Sequence, residues 1–296
     1  MPQTKRQIQA LLAEAGIRPL QRYGQNFLID GNLMRRLVEA AGATDRDVVL
    51  EVGVGTGSLT EMLLEAAGHV VGVEIDRGLH ALAAGRVGQH PRLTLMHRDV
   101  LASKHRIAPE VLAELRRRRD RLGGRIMLVA NLPYQVATPL VVELLLHEPD
   151  VGPLCFTVQA EVADRFTAAP GGKDYGPIAV YAQLLTTVRR IARLGPESFW
   201  PAPRVDSAML RLERNPLGRP PEDVLEGLAR LVQGCFGQRR KKIRTSLLRL
   251  CGESLVAGLE AAGTVDLDAR PEQIRVEDWL ALARRVVAES AAGDGR

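Results

Sequence analysis

The segment DVVLEVGVGTGSLTEMLLEAAGHVVGVEID, residues Asp47–Asp76, decides the fold. It opens with an apolar run, DVVLEVGV (47–54), and turns through Gly53, Gly55 and Gly57. It then continues as the amphipathic SLTEMLLEAAG and ends in a second apolar run, HVVGVEI (69–75). Strand, glycine turn, helix and strand make a βαβ unit, whose two strands run parallel. Glycines accept backbone angles that other residues resist, and they let a ligand approach the main chain closely. A dinucleotide fold would want G-x-G-x-x-G, but position 58 is Ser. The missing third glycine weakens pyrophosphate binding as the explanation.

The same alternation continues outward. LTLMH (93–97), RIMLVA (125–130) and PLCFTVQ (153–159) are further apolar runs, separated by helical patterns such as RGLHALAAGRVG. Repeated βα units predict an α/β fold with a mostly parallel sheet and helices on both faces. TTVRRIARL and SAMLRLER flank FWPAPRV and suit an antiparallel edge pair. NPLGRPPED (215–223) reads as a linker, and almost everything after it has helical periodicity. Two domains are therefore expected, 1–214 and 215–296, with the tail AAGDGR frayed.

Composition narrows the classes. The 296 residues are 46% hydrophobic, 25% charged and only 4% aromatic, which suits a well-cored globular protein. A net charge of +5 and a pI near 9.4 favour an anionic partner such as nucleic acid. Cys155, Cys235 and Cys251 are odd in number and far apart, which argues against a disulfide framework or structural zinc. His80, His90, His97 and His105 show no metal-ligand spacing, so no metal is expected. The start, MPQTKRQIQALLAEAG, lacks a signal peptide's apolar core, and no run reaches the roughly 18 apolar residues of a membrane span. A cytoplasmic protein is expected.

Functional candidates collect at strand ends. In open parallel sheets ligands bind beyond the carboxyl ends of the strands. Glu74 ends the second strand about 20 residues past the glycine loop, where a carboxylate can accept both ribose hydroxyls of an adenosine-containing cofactor. Asp76 beside it suits a helix N-cap. Asp99, in MHRDV, is read equally well as a ligand for an adenine amino group or as a helix cap. At the fourth strand's end comes NLPYQVATPL, Asn131–Leu140, where a proline forces the chain out of the sheet.

EVGVGTGSLT, VEID, RDVL and NLPY, in that order, resemble the class I S-adenosylmethionine-dependent adenine N6-methyltransferases. RYGQNFLID, FWPAPRVDSAMLRL and FGQRRKKIRTSLL narrow the likeness to the small-subunit ribosomal RNA adenine dimethyltransferases, over roughly residues 18–285. The resemblance implies a Rossmann-like, mostly parallel seven-stranded sheet with an antiparallel edge pair and a small all-α C-terminal domain. It implies S-adenosyl-L-methionine as cofactor, with contacts at Asn26, Leu28, Gly53, Glu74, Asp99 and Asn131. It also implies dimethylation of two adjacent adenosines near the 3′ end of 16S rRNA within the small ribosomal subunit, a role in subunit biogenesis, and a monomer. SKHRIAPEVLAELRRRRDRLGG, between RDVL and NLPY, is longer than the family pattern.

Adenine N6 is a poor nucleophile because its lone pair is delocalised into the ring, so the enzyme must position and reshape the amino group. A side-chain amide oxygen and a backbone carbonyl, each accepting one N6 hydrogen, would do so. The resemblance assigns this to Asn131 and the Leu132 carbonyl. Pro133 stiffens the turn and Tyr134 supplies a stacking face. Phe199, which the likeness places across the pocket, is expected to supply the second face, with Trp200 in the core. RFTAAPGGKDYGP is a candidate RNA-contacting flap, and QAEVADR is read as structural.

Arg239, Arg240, Lys241, Lys242 and Arg244 form a basic stretch with no Asp or Glu between Glu226 and Glu253. Phe236, Ile243 and Leu247 are spaced to anchor one helical face, turning the cations toward RNA phosphates. Arg116–Arg119 is a second basic run, equally compatible with a solvated helix. Other readings remain: a ribosome-assembly checkpoint, a large-subunit RNA methyltransferase, a DNA adenine methyltransferase (more often NPPY), or, least of all, a nicotinamide dehydrogenase.

Overall fold

The computed structural model describes residues 3–19, 24–103, 106–215 and 218–293. His105 and positions 294–296 of the tail lie outside the described residues, and Ala291–Gly293 end the last helix. The chain divides into two compact units, Met1–Ala163 with Val188–Arg214 and Asp164–Thr187 with Asn215–Arg296.

The first unit opens with helix α1 (Lys5–Glu14), strand β1 (Phe27–Leu28) and helix α2 (Gly31–Ala41). There follow β2 (Val48–Val52), α3 (Ser58–Ala66), β3 (His69–Glu74), α4 (Arg77–Val87) and β4 (Leu93–His97). The long crossover holds a small hairpin, β5 (Leu101–Ser103) with β6 (Arg106–Ile107), and helix α5 (Pro109–Leu122). β7 (Ile126–Asn131), α6 (Tyr134–His147) and β8 (Val151–Gln159) come next. After α7 (Ala160–Phe166) and α8 (Pro177–Leu185), strands β9 (Thr186–Leu194), β10 (Phe199–Trp200) and β11 (Ser207–Arg214) complete the strands.

The main sheet has seven strands in the order β4-β3-β2-β7-β8-β11-β9. The pairs from β4 through β8 are parallel, β11 runs antiparallel to β8, and β9 lies beside it at the edge. This is the mostly parallel seven-stranded architecture expected. Every residue of β2 and β3 is buried, as parallel strands covered on both faces must be. The strand order reverses between β2 and β7, so a crevice opens there at the strands' carboxyl ends.

Local chemistry sets the helix starts. Asp30 and Asp76 cap α2 and α4, each accepting two backbone N–H groups of the first turn. The far end of the sheet is locked by Asp47, which accepts from Arg125 on the run into β7 and from Thr44. Burial pushes its carboxyl up, but these hydrogen bonds outweigh burial and hold it well below the carboxylate range.

The Arg116–Arg119 run lies on α5, and every one of the four has a carboxylate partner. Arg116 meets Glu148, Arg117 and Arg118 share Glu114, and Arg119 meets Asp120 and Asp150. Burial raises the Glu114 pKa, yet hydrogen bonds from Arg118, Arg117 and Thr94 bring it down to about 2. The run is thus neutralised within the fold, which answers the choice left open by its sequence in favour of an internally paired helix.

The second unit contains α8, then α9 (Glu222–Phe236), α10 (Ile243–Cys251), α11 (Glu253–Ala262) and α12 (Val276–Gly293). Its centre includes Trp279, Tyr175 and Phe236, whose rings meet at 5.8–6.1 Å. Residues 164–187, assigned to the first domain by sequence, fold into this unit. The candidate flap belongs to it, anchored by Tyr175 donating to the Ile274 carbonyl and Gly171 N–H to the Glu272 carbonyl, with residues 169–174 exposed. All three cysteines are free, and burial pushes Cys155 up to about 12 and Cys235 up to about 11. Among the described residues no helix is long and apolar enough to cross a membrane.

Candidate active site

The crevice holds a cavity of about 250 Å³. Its lining brings together Asn26, Leu28, Gly53, Glu74, Asp99 and the whole Asn131–Tyr134 turn. Four strand ends and the β1 ribbon therefore converge on one space, although these residues span more than a hundred positions of the chain.

The glycine loop lies between two walls. Gly53 has φ +80, and a Cβ there would sit 3.2 Å from the Pro133 ring. Gly55 has φ +60, and its Cβ would come within 3.0 Å of the Phe27 ring. Both conditions favour glycine: a left-handed backbone and a neighbour close by. The loop is tied to the acidic strand end, because Glu74 accepts the Gly55 N–H through Oε2 and the Asp76 N–H through Oε1, both at 2.9 Å. Burial raises the Glu74 pKa against those hydrogen bonds. Asp76 is the N-cap, as its place in the sequence suggests. Asp99 caps no helix, since β5 follows it; its Oδ1 accepts the Leu101 N–H at 2.9 Å.

Asn131 ends β7, and Pro133 occupies the N-cap of α6 with φ −59. Proline at this point has no N–H to leave unpaired and sets the entry into the helix. Tyr134 is the first residue of α6, so QVATPL builds the helix. The Asn131 amide is held at both ends: Nδ2 donates to the Asn26 carbonyl at 2.9 Å, and Oδ1 accepts from the Thr157 hydroxyl. The Tyr134 hydroxyl is hydrogen-bonded to Ser207 Oγ at 2.9 Å. Burial pushes its phenol pKa up, so it stays neutral at ordinary pH.

Phe199 corrects the sequence reading. It is 3% exposed and packed in a core cluster with Leu28, Met34, Leu194 and Met209, and it does not line the cavity. The cause is strand pairing: β10 lies antiparallel to β1, with Leu28 opposite Phe199 and Phe27 opposite Trp200. Alternation sends Phe199 inward. Trp200, expected in the core, is half-buried: it stacks on Phe27 at 6.4 Å and packs with it against a small core cluster of Ile8, Leu12 and Leu79.

Three residues in the site escaped sequence reasoning. Thr157 and Ser207 are single hydroxyls inside strand runs, both fully buried. Glu51 is 1% exposed within β2, lines the cavity and accepts from the Thr60 hydroxyl at 2.6 Å. Burial pushes its pKa up to about 8, with Glu74 adding to the rise and the Thr60 bond opposing it. A carboxylate inside VVLEV was the available signal.

The basic stretch needs a second correction. It is not one helical face: 237–242 form a turn between α9 and α10, while Ile243 and Leu247 are buried on α10. Three of its cations have acidic partners, Arg239 with Glu272, Lys242 with Asp268 and Arg244 with Glu260. Arg240 and Lys241 are exposed, and their side chains make no ion pair among the described residues.

Residues 18–287 match the family model described as ribosomal RNA adenine dimethylase. A protein of Mycobacterium avium named ribosomal RNA small subunit methyltransferase A is 38% identical over 288 residues, covering 94% of this chain and 86% of its own. Its namesake from Streptomyces avermitilis is 38% identical over 291 residues, covering 96% and 94%. Among solved structures, a dimethyladenosine transferase from Plasmodium falciparum superposes with a TM-score of 0.67 at 21% identity, over 86% of this chain and 95% of its own. That likeness concerns the fold. The 23S rRNA methyltransferase ErmE superposes with a TM-score of 0.62 at 28% identity, over 88% and 99%.

Proposed function

The chain belongs to the ribosomal RNA adenine dimethylase family, and from that premise we propose a specific reaction: N6,N6-dimethylation of two adjacent adenosines near the 3′ end of 16S rRNA in the small ribosomal subunit. S-adenosyl-L-methionine is the methyl donor. The observation that carries the reading is the Asn131–Tyr134 turn, which lines the same cavity as the glycine loop and Glu74. The relatives named for the small subunit are 38% identical, against 28% for ErmE, which favours the small-subunit target.

The cavity suits that cofactor. The glycine loop leaves room where side chains would collide, and Glu74 places a carboxylate at the second strand's end. Glu74 would take the ribose, Asp99 the adenine, and Asn26, Leu28 and Gly53 the remaining contacts. When bound, S-adenosyl-L-methionine supplies an already activated methyl group.

The protein's own part is positional. Asn131 Oδ1 and the Leu132 carbonyl accept the N6 hydrogens and turn the nitrogen lone pair out of the ring's conjugation. Pro133 fixes the turn that presents them, and the neutral Tyr134 ring stacks on the base, worth roughly 1–3 kcal/mol. That is comparable to the few kcal/mol needed to unstack a nucleotide. The exposed Arg240 and Lys241, with the neighbouring cations, bind RNA phosphates. The modification accompanies small-subunit biogenesis in the cytoplasm.

Undermethylated small subunits incubated with labelled cofactor should yield N6,N6-dimethyladenosine, and Asn131→Ala should lose turnover far more than cofactor affinity. Failure of the wild-type protein to form that product at any salt concentration would sink the proposal.

A further inference from the structure

Thr157 is the polar member of the buried run CFTV in β8, with a side chain 0% exposed. In the parallel pairing of β7 with β8 it stands opposite Asn131, and on its other side it pairs with Met209 of β11. Nothing in that packing requires a hydroxyl, because valine has the same branched shape and suits a buried strand equally well. What the hydroxyl does do is donate to Asn131 Oδ1.

The direction of that bond follows from the groups around the amide. The Asn26 carbonyl can only accept, so the amide turns its Nδ2 toward it. Oδ1 then faces Thr157, whose hydroxyl can donate or accept and must here donate. With both ends engaged, rotation of the amide about its last torsion is blocked. One lone pair of Oδ1 is occupied, and the other is left in a fixed direction.

We infer that Thr157 is a positioning residue for methyl transfer, its hydroxyl holding the Asn131 amide so that the remaining Oδ1 lone pair meets an adenine N6 hydrogen. The inference rests on the function proposed above. It assigns Thr157 no contact with substrate; its effect passes through Asn131.

The test compares wild type, Thr157→Val and Thr157→Ser in steady-state dimethylation of small subunits, with melting temperature and cofactor affinity measured alongside. Thr157→Val keeps the shape and loses the donor, so its kcat should fall about tenfold, the kinetic equivalent of one ordinary hydrogen bond. Its cofactor KM should not change, and Thr157→Ser should recover kcat to within about threefold of wild type. In an Asn131→Ala background, Thr157→Val should cost no further single-turnover rate, since the partner is already gone. A Thr157→Val enzyme as fast as wild type overturns the inference. So does a Ser variant as slow as the Val variant, or a Val variant that fails to fold, which would make the role structural. A wild-type protein that leaves adenosine unmodified overturns the proposed function, and this inference with it.

Discussion

Gly53→Ala tests whether the cofactor loop and the Asn131–Tyr134 turn form one mechanical unit. Two costs combine at this position. At φ +80 an L-residue is strained, by about 1–2 kcal/mol. The new methyl would also lie 3.2 Å from Pro133 Cγ and 3.3 Å from Cδ, closer than ordinary carbon contact. Pro133 is the N-cap of α6, so whatever part of the clash ring pucker does not relieve must move the turn that carries Asn131 and Tyr134. Overpacking of this kind costs about 1–3 kcal/mol, and a shift of a few tenths of an ångström in the turn should lower kcat on the order of tenfold. Gly263→Ala is the control, because it has φ +58 with nothing within 4 Å of the added carbon. Calorimetric melting should show both variants destabilised, Gly53→Ala more so. Only Gly53→Ala should lose kcat in a methyl-transfer assay. Equal melting losses together with unchanged kcat for Gly53→Ala would refute the idea that loop and turn are coupled through this contact.

Glu51→Gln should change the pH dependence of stability. With the folded pKa raised by burial to about 8, against an ordinary value of 4.5, the unfolded chain releases this proton first. Wild-type stability should therefore fall by a few kcal/mol as pH rises between those values and then level off, whereas the Gln variant, measured by denaturant titration, should lack that slope. Arg240→Ala with Lys241→Ala should flatten the log–log salt dependence of RNA binding by about 1.4–1.8, at 0.7–0.9 per phosphate contact. Arg244→Ala should flatten it less, because Arg244 is already paired with Glu260, and an equal effect would contradict the division between paired and unpaired cations. Phe199→Ala should destabilise the protein by about 3–5 kcal/mol as a core truncation. A Phe199→Ala protein of wild-type stability that has lost only substrate binding would show that the ring faces substrate after all.

The amino-acid sequence by itself determined the architecture and most of the cavity's lining. Asp47–Asp76 suffices for the βαβ unit because strand and helix periods and a glycine turn are local signals. Glu74, Asp99 and Asn131 were legible for the same reason: each ends an apolar run, and parallel strands carry their ends to one edge. What only the tertiary structure decided depends on partners far along the chain. Whether Phe199 or Trp200 turns inward was set by pairing with Phe27–Leu28, about 170 residues away. Which cations remain available depended on carboxylates such as Glu260 and Asp268, brought beside them by folding. Thr157 and Ser207 were invisible because a hydroxyl inside a strand run looks like ordinary core until its partner is known. The chain's periodicity states which side chains are buried; only the fold states what each buried polar atom faces, and there the orientation of Asn131 is decided.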